Sequence, residues 1–216
     1  MRTIIVAGGS PPSGEVWCRW VREGDRIIGA DGGASHALAR GLTPDLVIGD
    51  MDSLADGDRA LLKTGGCQFV VHPRAKDETD LELALTFAAA EGAPEIVVLG
   101  AFGGRLDHTL ANILLLTLPQ LDQVLVWLVD DREEMVLAQS GRRVTVEGQI
   151  GDLVSLLPLA GDASGVTTAG LAWELEGDRL RFGFSRGVSN EMTASEAGIE
   201  LEEGLLLVVH GRSVDG

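Results

Sequence analysis

Three aspartates in one short stretch are the residues of this chain best suited to chemistry. Asp31 follows the apolar run RIIGA, and Asp50 and Asp52 follow DLVIG in the segment GDMDS. Asp50 and Asp52 are two positions apart, so an extended backbone would turn both carboxylates to one side. Asp80, in KDETDLELAL, falls in the first turn of a strongly patterned helix, with Asp77 three residues before it. Carboxylates gathered in a cleft repel one another unless a cation sits among them, and their hard oxygens suit Mg²⁺ or Ca²⁺. Each acid also has a plainer explanation: Asp52 or Ser53 as a helix cap, Asp50 in a turn, Asp80 set against a helix dipole. Capping would scatter acids over both edges of a sheet, whereas Asp31, Asp50, Asp52 and Asp80 share one predicted edge. The four are therefore read as a metal site.

A second segment, GAFGGRLDH at residues 100–108, brings Gly103, Gly104 and Arg105 to the same edge. Backbone N–H groups at a helix start, approached closely because glycine has no side chain, form an anion site, and an arginine adds a bidentate phosphate contact. The competing explanation is a flexible turn with a solvated Arg105. The segment lacks the Gly-Lys-Ser/Thr ending of a Walker loop and is not GxGxxG, which disfavours a nicotinamide or flavin dehydrogenase. His108 beside Asp107 is a poor general-base pair, because neighbours on a helix point about 100° apart. In the last third of the chain, GVSNEM (187–192) is a polar stretch suited to a ligand loop or a hairpin turn. Trp173, in GLAWEL, is expected in the core, as is usual for one tryptophan in an alternating strand.

The elements that must position these residues follow from hydrophobic patterning. RTIIVA, RIIGA, DLVIG, CQFVV, EIVVLG and VLVWLV are short, largely β-branched runs that read as buried strands. Helical segments separate them, the clearest being KDETDLELALTFAAAEG, where Thr79 and Glu82 fit a capping box and Leu81, Ala84, Leu85 and Ala88 form one face. A second helix in GRLDHTLANILLLTL places Leu106, Leu110, Ile113, Leu114 and Thr117 on one side. Alternating strands and helices with short connections predict a doubly wound, mostly parallel α/β sheet, whose strand carboxyl ends open on one crevice. Past about residue 135 the segments become short, glycine-punctuated and alternating, predicting an antiparallel β-sandwich or barrel. Two domains are expected, 1–135 and 136–216, with the acidic DDREE run as their link.

Composition limits the partners. A net charge of −16 over 216 residues argues against nucleic acid, which needs clustered Lys and Arg. An anionic substrate must then be held by a metal, by backbone N–H groups or by a few placed arginines. Cys18 and Cys67 have no zinc or disulfide spacing, and no run reaches signal-peptide or membrane length, so no membrane partner and a cytoplasmic location are expected.

In order, ADGGAS, PDLVIGDMDSL, KDETDLELAL, GGRLDH and GVSNEM closely resemble the thiamine pyrophosphokinase (thiamine diphosphokinase) family, over nearly the whole chain. The resemblance implies an α/β catalytic domain, a C-terminal β-sandwich, a homodimer, and transfer of pyrophosphate from ATP to the hydroxyl of thiamine, giving thiamine diphosphate and AMP. It implies that Asp31, Asp50, Asp52 and Asp80 surround Mg²⁺ and the ATP phosphates. Gly32, Gly33, Gly103, Gly104, Arg105 and Asp107 would line the nucleotide side, with Asp50, Asp52, Asp80 and Arg105 as the catalytic set. Ser189 and Asn190 match the pair that helps bind thiamine, and Trp173 stands where the family often has an aromatic residue. Ser35 and Met51 depart from the usual Asn and Phe. Two other functions fit the acid cluster: a pyrophosphokinase acting on a hydroxymethylpterin, and a non-catalytic nucleotide or thiamine sensor.

Overall fold

In the first of two compact units, Met1–Asp131 and Arg132 onward, six apolar runs become six parallel strands. The structure is a computed structural model and describes residues 1–212. The first unit alternates β1 (Thr3–Val6), α1 (Gly14–Trp20), β2 (Arg26–Ala30), α2 (Gly33–Ala39), β3 (Leu46–Gly49), α3 (Asp56–Thr64), β4 (Gln68–Val71), α4 (Asp80–Ala90), β5 (Glu95–Leu99), α5 (Leu106–Leu114) and β6 (Leu125–Val129). Two single 3₁₀ turns lie between α5 and β6. The strands lie in the order β6-β5-β1-β2-β3-β4 and every pair is parallel. All four residues of β1 and of β3 are buried, as strands covered on both faces require.

This order fixes where the crevice lies. The chain starts in the middle of the sheet at β1, moves outward through β2, β3 and β4, then returns to β5 on the other side of β1. The β1 and β5 turns leave in opposite directions, which opens a crevice at the carboxyl ends of the strands. Both turns are glycine-rich and bonded together: Gly9 donates its N–H to the Gly100 carbonyl (3.0 Å) and Ser10 to that of Phe102 (2.7 Å).

Helix α4 begins as expected. Thr79 is its N-cap and accepts the Glu82 N–H at 3.2 Å, while Leu81, Ala84, Leu85 and Ala88 are buried. Helix α5 differs from expectation in its packing. No residue of α5 is fully buried, and Leu106, Leu110 and Leu114, one turn apart, are exposed along its length.

The second unit is antiparallel throughout. One sheet is ordered β12 (Asn190–Glu191), β9 (Leu153–Pro158), β14 (Leu205–Gly211), β7 (Glu133–Gln139). The other is ordered β11 (Asp178–Leu180), β10 (Ala163–Ala169), β13 (Glu196–Glu200), β8 (Val144–Glu147). Alternation places Val144 and Val146 of β8, Val154 and Leu156 of β9, and Leu206 and Val208 of β14 in its core. The acidic run at 130–134 is not a free linker, because Glu133 and Glu134 already belong to β7 and Glu134 is buried.

Candidate active site

The crevice of the first unit is a cavity of about 630 Å³. Its walls come from the β1 turn (Ala7, Gly8, Gly9), the β2 turn (Asp31, Gly32), the β3 turn (Asp50, Ser53), the start of α4 and the β5 turn (Gly103, Gly104, Arg105). The sites where a side chain would not fit explain much of the glycine content. A Cβ on Gly9 would collide with the Phe102 and Gly100 carbonyl oxygens, and one on Gly33 with the Val6 carbonyl oxygen. Gly33 is buried and does not line the cavity, so the structure gives it a packing task, while Gly32 reaches the cavity wall.

Asp31, Asp50 and Asp52 converge, with one carboxylate oxygen of each within 4.8 Å of the others. The reason differs from the strand alternation expected from sequence. Strand β3 ends at Gly49, and Met51 turns the chain with a φ of 65°. Its side chain is buried with Ala34, Val47, Leu54, Leu62 and Cys67. Burying a thioether stabilises by roughly 1.5–3 kcal/mol, enough to hold one residue in the left-handed region. Asp50 and Asp52 flank this anchor, and the Asp52 N–H donates to Asp50 Oδ1 at 3.0 Å. That N–H holds the Asp50 carboxyl below its usual range, with Lys76 and Arg74 adding to the effect. Neither Asp52 nor Ser53 caps α3, whose N-cap is Ala55.

Asp31 also adopts a positive φ, 45°, and is buried. Its backbone is fixed by its N–H bond to the Ile48 carbonyl (2.8 Å), yet its Oδ1 is buried with no partner in the protein. Asp80 meets Asp31 beside Gly49, where a Cβ would lie 2.9 Å from the Asp31 Cβ and 3.0 Å from Asp80 Oδ1. Asp80 is paired with Lys76, whose Nζ is 2.8 Å from Oδ1, and this contact pushes the ammonium pKa up. Asp77 is exposed and precedes the Thr79 cap, outside the helix. Arg74 pairs with Asp52 at 3.5 Å. Lys76, Arg74 and Asn112, whose amide donates to the Ala101 carbonyl at 2.6 Å, are cavity residues that sequence reasoning missed. The KDETD segment displayed Lys76 four residues before Asp80, a spacing at which charges meet on a helix, but here the pair closes a loop onto the helix start.

Gly103 and Gly104 line the cavity with φ of 101° and 78°. Arg105 is the N-cap residue of α5 and is tied to Asp107, Nε to Oδ1 at 3.1 Å and Nη2 to Oδ2 at 2.5 Å. The arginine is thus an exposed, preoriented fork. Asp107 is not on the cavity wall, whereas His108 is, and its N–H donates to Asp107 Oδ1.

The remaining candidates lie in the second unit, where Trp173 and Asn190 line a cavity of about 310 Å³ with Leu156, Arg186 and Val188. Trp173 is not a core residue: it is 62% exposed and follows β10 in an irregular segment. Asn190 clamps it at both ends, its Oδ1 accepting the Trp173 N–H (3.0 Å) and its amide donating to the Trp173 carbonyl (2.7 Å). Ser189 has a φ of 60°, and its N–H donates to Ser155 Oγ at 3.0 Å. Ser189 does not reach the wall of that cavity. Asp31, Met51 and Ser189 are the three non-glycine residues with positive φ among those described; Asp31 lines the first cavity, Met51 lies between Asp50 and Asp52, and Ser189 precedes Asn190 of the second. Backbone strain of that kind concentrates where function over-determines it.

A parallel α/β unit gathering carboxylates and glycine-rich turns at its switch point is followed by an antiparallel β unit with a pocket of its own, the architecture of a two-domain α/β plus β protein. The chain belongs to the thiamin pyrophosphokinase family: residues 18–128 match its catalytic domain and residues 143–206 its vitamin B1 binding domain. It is 29% identical to the thiamine pyrophosphokinase of Bacillus subtilis (strain 168) across the full length of both chains. It is 28% identical to thiamine pyrophosphokinase 1 of Oryza sativa subsp. japonica, covering 79% of this chain and 67% of that one. The crystal structure of the Bacillus subtilis enzyme superposes with a TM-score of 0.87 at 25% identity, covering 99% of this chain and 100% of that one. Yeast thiamin pyrophosphokinase shares the fold at a TM-score of 0.78 and 15% identity, covering 97% and 86%.

Proposed function

We infer that this chain is a thiamine diphosphokinase, which transfers the pyrophosphoryl group of ATP to the hydroxyl of thiamine and releases AMP. The observation that carries this reading is the convergence of Asp31, Asp50 and Asp52 at the switch-point crevice of a unit matching the family's catalytic domain. The pterin and sensor alternatives have no support in the family matches. We assign phosphate chemistry to the first unit and thiamine recognition to the second.

The donor set fits Mg²⁺. A buried, unpartnered carboxylate oxygen such as Asp31 Oδ1 is costly unless a cation meets it, and the neighbouring donors are hard oxygens from Asp50 and Asp52. These three, with Asp80 beside them, would hold the ion. Bound there, it would neutralise charge on the polyphosphate. The rest of the task is positioning, because in-line phosphoryl transfer asks little covalent work of the protein. The hydroxyl oxygen of thiamine, giving up its proton to water, bonds to the β-phosphorus as the bond from that phosphorus to the α–β bridging oxygen breaks, and AMP carries that oxygen away. Gly32, Gly103 and Gly104 let the polyphosphate approach the backbone. Arg105, preoriented by Asp107, supplies a fork for its oxygens.

Trp173 offers an open aromatic face, and Asn190 serves by fixing the Trp173 backbone. Ser189 precedes Asn190 in the chain. We also propose a homodimer, supported by the exposed apolar residues Leu106, Leu110 and Leu114 in the first unit and Phe182 and Phe184 in the second. Sedimentation measurement of mass would test it. Both cysteines are free, and no helix among the described residues is long and apolar enough to cross a membrane. The cytoplasm is the proposed location, on the cysteine usage.

The deciding experiment incubates the protein with Mg-ATP and thiamine, with and without EDTA. Thiamine diphosphate and equimolar AMP, both lost with EDTA, are expected. ADP with thiamine monophosphate would overturn the pyrophosphoryl mechanism.

A further inference from the structure

Three cationic side chains of the first unit line the crevice, and they differ sharply in setting. The Arg74 and Arg105 side chains are 85% and 72% exposed, while that of Lys76 is 10% exposed. Lys76 comes from the loop before α4 and reaches Asp80 at 2.8 Å, with Asp50 and Asp31 also acting on it electrostatically. It is therefore the cation sunk among the acids. A nearly buried ammonium is stable only where carboxylates surround it, and a divalent ion entering the same group of acids would repel it.

We propose that Lys76 is the resident counter-ion of the carboxylate cluster, competing with the divalent metal until a polyphosphate offers its ammonium a new partner. This rests on the function proposed above. Without nucleotide, Lys76 keeps Asp80 occupied and lowers the affinity of the acids for a lone divalent cation. When a nucleotide polyphosphate enters the crevice, its oxygens take over the ammonium and Asp80 becomes available. Metal and nucleotide then bind with positive coupling, because each removes a cost that the other would otherwise meet. The cleft thereby avoids tight capture of a metal with no substrate present.

The test uses Mn²⁺ as the probe, without thiamine, and α,β-methylene-ATP, in which the scissile bridge is blocked. Mn²⁺ affinity is measured with and without that analogue for wild type, Lys76→Met and Lys76→Arg. Lys76→Met is expected to bind Mn²⁺ alone about tenfold more tightly than wild type, and the analogue's enhancement of Mn²⁺ binding should shrink by about the same factor. Lys76→Arg, which keeps the charge, should stay near wild type on both counts. Mn²⁺ binding to Lys76→Met that is unchanged or weaker than wild type would overturn the proposal and leave Lys76 a support for Asp80. Should Lys76→Met not fold, Lys76→Gln carries the same expectation. Failure of the assigned reaction would show separately, as absence of thiamine diphosphate from wild type in the activity assay.

Discussion

Among the described residues each unit holds a cluster of acids, and the two are built on opposite principles. In the first unit Asp31, Asp50 and Asp52 stand within 4.8 Å of one another, and Asp31 Oδ1 is buried without a protein partner. In the second unit the buried acids are matched. His210, fully buried on β14, has Nε2 3.0 Å from Asp152 Oδ2 and Nδ1 3.5 Å from Glu134 Oε2, and Arg212 also pairs with Glu134. The Gln149 N–H adds a bond to Asp152 Oδ2 at 2.8 Å. Similar residues thus serve different ends. Where the acids find their partners inside the protein the cluster is architecture, and where an oxygen is left over the partner we propose is a ligand.

The largest effect should come from breaking the matched cluster. His210→Leu removes the imidazole shared by two buried carboxylates, and losing one partner of a buried pair costs about 3–5 kcal/mol. Urea unfolding of the variant should show that loss, whereas wild-type stability would mean the cluster is not a support of the β unit. The unmatched cluster should respond the other way. Asp50→Asn should lower turnover by about 10²–10³-fold, the scale of removing one group that stabilises transition-state charge, with urea stability close to wild type. Reduced stability with near-normal turnover would turn Asp50 into a structural residue and erase the contrast.

The contrast was only partly legible in the sequence. The strands of the first unit could be read because each is a short β-branched run between glycines, and the acids after β2 and β3 inherit their edge from a parallel topology. Helix α4 could be read from its cap and its apolar face. The turn at Met51 could not, because its cause is a side chain buried among residues from α2, β3 and α3. Lys76 is not legible, because a charge in a polar loop looks solvated until its partner's position is known. Trp173 was expected inside, yet Asn190, distant in sequence, holds it in an exposed segment. The buried set of Glu134, Asp152 and His210 comes from three separate segments, and the acids of DDREE read as a linker until the register of β7 against β14 is known.

A smaller effect follows from titrating the matched cluster. Burial alone would lower the His210 pKa, but bonding to Glu134 and Asp152 more than reverses this and raises it above 6.5. A group whose pKa is raised on folding adds stability that is fully present below its unfolded pKa and is lost as pH climbs through the folded value. Wild type should therefore lose stability relative to His210→Gln as pH rises from about 6.5 through the raised pKa. Thermal melts of the two proteins between pH 6 and 9, compared as differences, would show the gap narrowing, and a gap that widens would mean His210 is neutral in the folded state.

The smallest effect tests how firmly the unmatched cluster is held. Thr79 caps α4 by accepting the Glu82 N–H at 3.2 Å, and the next residue is Asp80. Thr79→Ala should cost about 1 kcal/mol, and Thr79→Ser should restore it, because the hydroxyl is the capping group. If Asp80 acts in the crevice, loosening the first turn of α4 moves a carboxylate from its place, and turnover should fall severalfold in the alanine variant while thiamine KM stays unchanged. Stability lost without any change in turnover would show that Asp80 belongs with the matched acids, as the partner of Lys76 and nothing more.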